Sequence, residues 1–129
     1  MRTIKFRGQS ILTDEWLYGD LVHSADKKRF AILVNDKDSY DECEVTPETV
    51  GQLTGLIDKN GTEIYEGDIL RFGNSPSGVC EVKWNDSIAA FCIRFYFEAE
   101  IGSRPLGEWV ECEKNIAIIG NIHDNGNLL

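Results

Sequence analysis

Short apolar runs alternate with turn signals every eight to twelve residues along this chain, and that rhythm predicts an all-β barrel or sandwich. Ile4 and Phe6 alternate with Lys5 and Arg7, which predicts a first strand with one face in water. Trp16-Leu17-Tyr18 and Leu21-Val22 flank Gly19-Asp20, the pattern of a strand with a bulge or bend. Residues 30–34 are continuously apolar and too short for a helix, so they read as a buried strand that ends at Asn35-Asp36. The one clear helical signal is Thr46-Pro47-Glu48-Thr49-Val50-Gly51. Thr46 suits a cap, Pro47 the first helical position and Gly51 the exit, which leaves room for little more than one turn. No long amphipathic helix is predicted.

The second half is more strongly patterned. Residues 53–57 and 63–65 flank Asp58-Lys59-Asn60-Gly61-Thr62. Asn-Gly between extended runs predicts a hairpin with a two-residue or slightly longer turn, since both residues tolerate positive φ. Gly55 is a further turn position, and Glu66-Gly67-Asp68 predicts a tight turn, with Asp68 accepting backbone N–H groups. Residues 69–72 and 79–84 then read as strands around a polar loop at 74–78. Cys80, Val82 and Trp84 share one face opposite Glu81 and Lys83, and Phe91, Ile93, Phe95 and Phe97 share another opposite Cys92, Arg94 and Tyr96. Pairing the apolar faces turns Cys80 inward and Cys92 outward, against a disulfide between them. Residues 109–112 and 116–122 read as closing strands, and 125–127 as a frayed tail.

The chain has 129 residues, 42% of them hydrophobic and 27% charged, which places it among globular domains rather than disordered segments. A net charge of −9 argues against broad phosphate binding, which needs Lys and Arg. Asp36, Asp38, Asp41, Glu42, Glu44 and Glu48 form the densest acidic stretch, read as a solvated loop, with an acidic mimic surface as the alternative. The first residues lack the apolar run of a secretory leader, and no stretch is long and apolar enough to span a bilayer, so a cytoplasmic protein is expected, with no membrane partner. Cysteines at 43, 80, 92 and 112 form no CxxC pair, and His23 and His123 are the only histidines. Four reduced thiols and no metal site are therefore expected.

Candidate chemistry is sparse. Asp58, Asn60 and Glu63 resemble part of a calcium loop, but the twelfth position is Ile69, which cannot ligate. Glu66 and Asp68 are a carboxylate pair without a signalled nucleophile or basic partner. Ser75 and Ser77 sit in no nucleophile elbow, and no phosphate-cradling glycine loop is present. His123 reads as a surface residue, and His23 beside Asp20 and Asp26 as part of a loop rather than a weak metal site. Trp84, Trp109, Tyr65 and Tyr96 are candidates to line a shared groove. Core packing accounts for Trp84, so Tyr96 and Trp109 are the preferred contact residues.

Residues 45–70, VTPETVGQLTGLIDKNGTEIYEGDIL, carry a resemblance. Gln52, Thr54-Gly55-Leu56, Asp58, Asn60-Gly61 and Ile64-Tyr65-Glu66-Gly67-Asp68-Ile69 are similar to the signature segment of the YopX family. Ile4-Lys5-Phe6-Arg7, then Trp16, Tyr18 and Gly19, and finally Ile119-Gly120-Asn121-Ile122-His123-Asp124-Asn125 extend the likeness over nearly the whole chain. In relatives the closing motif often has Tyr where this chain has His123. The resemblance implies a phage or prophage gene and an SH3-like barrel over the second half. It implies no catalytic residue and no cofactor. Fixed turns and core residues explain such a signature without any activity.

The expected architecture is mostly β with very little helix: an N-terminal β region over 1–50 and an SH3-like barrel over 51–129, with packing as one globular unit as an alternative. The expected function is non-catalytic binding of an unidentified protein partner. A nucleic-acid-associated module is the second reading, with Lys5, Arg7, Arg71, Lys83 and Arg94 gathered on one face. An enzyme of unknown type is the third. Aromatic side chains on both faces of 91–97 also raise a homo-oligomer, with Tyr96 and Trp109 near its interface.

Overall fold

The computed structural model describes residues 1–36, 39–73, 78–95, 104–112 and 115–129, with the side chains of Asp36 and Cys112 left aside. The chain is mostly β and divides into two compact units, residues 1–53 and 54–129.

The first unit is an antiparallel meander of β1 (Phe6–Gln9), β2 (Trp16–His23), β3 (Phe30–Asp36) and β4 (Ser39–Val45), with β5 (Gly51–Ile57) starting along the free side of β1. Strand β2 changes partner midway. It pairs with β1 from Trp16 to Gly19 and with β3 from Asp20 to His23. Gly19 stands at that change, where a Cβ would lie 2.1 Å from the Leu33 carbonyl oxygen. The expected bend is thus a close backbone approach. At the far end of the meander Val45 bridges Ser10, and Thr46 N–H donates to the Gln9 carbonyl at 2.9 Å. Ile32, Val45 and Leu53 are buried.

Two expectations for this unit need correction. The alternation at residues 4–7 is inverted: Ile4 is 54% exposed, whereas Arg7 is 6% exposed, with its guanidinium 4.7 Å from the centre of the Trp16 ring. A cation on an aromatic face tolerates that burial. The helical signal at 46–51 is a single 3-10 turn, Pro47–Thr49, and Thr46 caps nothing with its side chain. The buried Thr49 hydroxyl accepts from Gln9 N–H at 2.9 Å and donates to the Thr46 carbonyl at 2.6 Å. Gly51 already belongs to β5.

In the second unit the latter half of β5 pairs with β6 (Glu63–Tyr65). A five-stranded antiparallel sheet follows, built from β7 (Asp68–Phe72), β8 (Val79–Asn85), β9 (Ala90–Phe95), β10 (Arg104–Pro105) and β11 (Ile116–Asn121) in the order β10-β9-β8-β7-β11. Among the described residues this sheet is open rather than closed into a barrel. Ile64, Leu70, Cys80, Val82, Ile93, Leu106 and Ile116 form its core.

Residues 109–112, expected as a strand, lie in the helix α1 (Leu106–Cys112). Leu106, Trp109 and Val110 are spaced for one helical face, and all three pack in or against the core. Val82 pairs with Ile93 and Trp84 with Phe91 on the core face, while Lys83 pairs with Cys92 on the other. Cys92 is nonetheless fully buried, as is most of Glu81 on that second face. Trp84, expected in the core, is 45% exposed. No helix among the described residues is long and apolar enough to cross a membrane.

Candidate functional site

The signature segment turns out to be a set of hydrogen-bonded clamps. Asp58 closes β5. Its N–H donates to the Thr62 carbonyl at 2.9 Å, and Gly61 N–H donates back to the Asp58 carbonyl at 3.0 Å. Gly61 has φ +80° while Asn60 stays on the negative side, so the loop is a three-residue turn with one left-handed position. The Asp58 carboxylate holds it. Oδ1 accepts Asn60 N–H and Thr62 N–H, each at 2.9 Å, and Oδ2 accepts Ile118 N–H from β11 at 3.1 Å. Burial of Asp58 pushes its pKa up, but the three donated N–H groups outweigh that and hold it below the ordinary aspartate range. Lys59 adds two links to the same region, its N–H to the Ile116 carbonyl at 2.8 Å and its ammonium to Asn115 Oδ1 at 3.1 Å.

A second clamp follows at β6–β7. The buried Asp68 accepts Tyr65 N–H on Oδ2 at 2.7 Å. Gly67, buried with φ +93°, donates its N–H to Val82 at 2.9 Å and accepts Ile122 N–H at 2.9 Å, which ties the turn to β8 and to the end of β11. Glu66 is half-buried between them. Gly55, φ +87°, is exposed on β5, where the neighbouring Thr54 hydroxyl donates to the Ile64 carbonyl at 2.7 Å. The closing motif works the same way. Asn121 Oδ1 accepts His123 N–H at 3.0 Å and Asp124 N–H at 2.9 Å.

These carboxylates face backbone donors, an arrangement that organises turns. The Asp58 oxygens facing Asn60, Thr62 and Ile118 are those a calcium ion would require. No group of three or more His, Cys, Asp or Glu among the described residues is placed to hold a metal. His23 Nδ1 lies 2.8 Å from the Ser24 carbonyl, and Asp26 accepts the Ser24 hydroxyl within the same turn. The loop serines Ser75 and Ser77, and the contact candidate Tyr96, lie outside the described residues.

The aromatic residues separate into two groups. Trp109 is half-buried on α1, with its ring centre 5.1 Å from that of Phe72 and 5.9 Å from that of Phe95. Tyr65 is buried. Trp84 stands apart from them. It meets Phe91 edge-on at 5.0 Å, and its indole N–H donates to Asp86 at 2.7 Å. The turn that follows leaves Ile88 50% exposed and holds Ala89 at φ +51°. Sequence reasoning missed this exposure because Trp84 alternates in phase with Cys80 and Val82. Its position at the turn end of the β8–β9 hairpin is what leaves it in water.

The family described as YopX protein matches residues 5–129. The crystal structure of protein EF1440 from Enterococcus faecalis is similar over 100% of this chain and 99% of that one, with a TM-score of 0.63 and 22% sequence identity. At that identity the likeness is one of fold. No curated protein matches the chain.

Proposed function

Since the chain belongs to the YopX family, we propose that it is a phage- or prophage-encoded protein that acts without catalysis, by binding another protein in the cytoplasm of a bacterial host. The second unit is read as a divergent, open member of the SH3-like class, in which short strands present aromatic side chains near a hairpin end.

Trp84 carries the reading. A large aromatic residue 45% exposed is a standing cost in water, and here it is oriented on both sides by Phe91 and Asp86. A ring already fixed in place loses little freedom when a partner covers it, which is why Trp is enriched among the residues that dominate protein interfaces. The nucleic-acid reading is less well supported. Arg7 is buried against Trp16, and Arg94 sits directly across from Glu81.

The test compares wild type with Trp84→Ala. Each is used to capture proteins from host lysate, and the captured candidate is then purified and titrated against both. The variant is expected to bind about tenfold more weakly or worse, the scale of an interface aromatic. Equal affinity for both would overturn the reading. Binding to DNA that weakens steeply with salt would replace it with the nucleic-acid one.

A further inference from the structure

The first unit has a surface that Trp84 does not explain. Cross-strand pairing sets Asp20, Leu33 and Glu42 in one rank and Val22, Ala31 and Glu44 in the next, all on one face of β2–β3–β4. A groove of about 530 Å³ runs there. Its floor is Val22, Ala31 and Leu33, its rim carries Glu42 and Glu44, and Arg29 stands at one end. Glu42 and Glu44 are exposed. Strand β4 is also the last strand on its side of the sheet. Among the described residues its outer side is engaged near its end, where Ile11 N–H donates to the Glu44 carbonyl at 3.2 Å and Ser10 bridges Val45.

We propose that β4 is a docking edge for an extended basic segment of a partner protein, which adds as a strand beside residues 39–43 and sets Lys or Arg side chains directly opposite Glu42 and diagonally within reach of Glu44. Strand addition supplies backbone hydrogen bonds, and alternate side chains supply specificity. Side chains two apart on an added strand are spaced by about 6.6 Å, the same repeat that separates Glu42 from Glu44. The alkyl stems then lie along the exposed Tyr40, on the same face of β4, while the charged heads reach Glu42 and Glu44. Charge selects the occupant. A second copy of this chain, net charge −9, would bring its own Asp41, Glu42 and Glu44 against these, and nucleic acid has the wrong sign.

The probe is a labelled synthetic peptide that alternates Lys with Thr, titrated into the full chain and followed by fluorescence anisotropy. Binding is expected at low salt and is expected to weaken as salt rises. The double variant Glu42→Gln, Glu44→Gln keeps shape and removes charge. It is expected to weaken binding at least about tenfold. Methylation of alternate peptide nitrogens, which removes the ladder donors, is expected to abolish binding. Three results would overturn the proposal: no binding at low salt, equal binding to the Gln variant, or equal binding of a peptide with its lysines in one block. Persistence after methylation would overturn strand addition in the same way. Trp84→Ala is expected to leave this titration unchanged, so failure here and failure at Trp84 are separately visible.

Discussion

Asp58 Oδ2 accepts the backbone N–H of Ile118 at 3.1 Å, a link between the first hairpin of the C-terminal unit and its last strand, 60 residues further along the chain. The other oxygen of the same carboxylate holds the hairpin's own turn. One buried side chain therefore fixes a local turn and a long-range register together. Asp58→Ala would leave three N–H donors to find other partners. We expect a loss of about 3 kcal/mol, the scale of removing hydrogen bonds to a charged acceptor. Urea titration followed by tryptophan fluorescence measures it, and a loss under about 1 kcal/mol would contradict the clamp.

The same carboxylate sets an acid limit. Its folded pKa lies below the ordinary aspartate value of 3.8, because the N–H groups of Ile118, Thr62 and Asn60 outweigh the upward push of burial. A depressed folded pKa contributes stability that is fully present above the unfolded value and is lost as pH falls through the folded one. Wild type is therefore expected to lose stability below about pH 4 more steeply than Asp58→Asn, whose side chain does not titrate. Parallel stability curves from pH 7 down to about pH 2.5 would show that Asp58 makes no such contribution.

Thiol chemistry separates the cysteines. Burial pushes the Cys80 pKa up to about 12, against a smaller opposing pull from a hydrogen bond at the Leu70 backbone. Burial raises Cys92 as well. Cys43 is only half-buried. Alkylation of the native protein at neutral pH, read by peptide mapping, is expected to label Cys43 and to spare Cys80 and Cys92 until denaturant is added. Equal labelling of Cys80 and Cys43 in the native state would contradict this packing.

Much of the β architecture is legible in sequence because period-two alternation and turn residues are local signals. Val82 and Ile93 face each other as their alternation implies. The Asp58 to Ile118 link is not legible, because its donor is a backbone N–H that almost any residue would supply. Arg7 defeats the polar-out rule through a partner, Trp16, that the sequence places beyond a turn. The helix at Leu106–Cys112 is hidden by its length, seven residues, too few for a helical period to stand out beside Pro105 and Gly107. Trp84 follows the core alternation and still ends in water. Alternation reports the face of a strand and says nothing of how far along it the core extends.

Gly19 gives the sharpest steric test of the N-terminal meander. It lies where β2 leaves β1 and takes up β3, opposite Phe6 in the register and one residue before the Asp20–Leu33 pair. A Cβ there would sit 2.1 Å from the Leu33 carbonyl oxygen and 3.2 Å from Ile32 Cγ2. The first contact is with backbone, which cannot swing aside as the end of a side chain can, and Ile32 is fully buried. Gly19→Ala therefore has to separate β2 from β3 or shift the core. We expect a destabilisation of about 3 kcal/mol or more, at the upper end for a single added methyl group. Gly61→Ala is the comparison. A Cβ there meets nothing within 4 Å, and its cost comes from φ +80° alone, about 1 to 2 kcal/mol. Chemical denaturation of both variants decides the matter: if Gly19→Ala is no worse than Gly61→Ala, the close approach of β2 to β3 is not what keeps glycine at position 19.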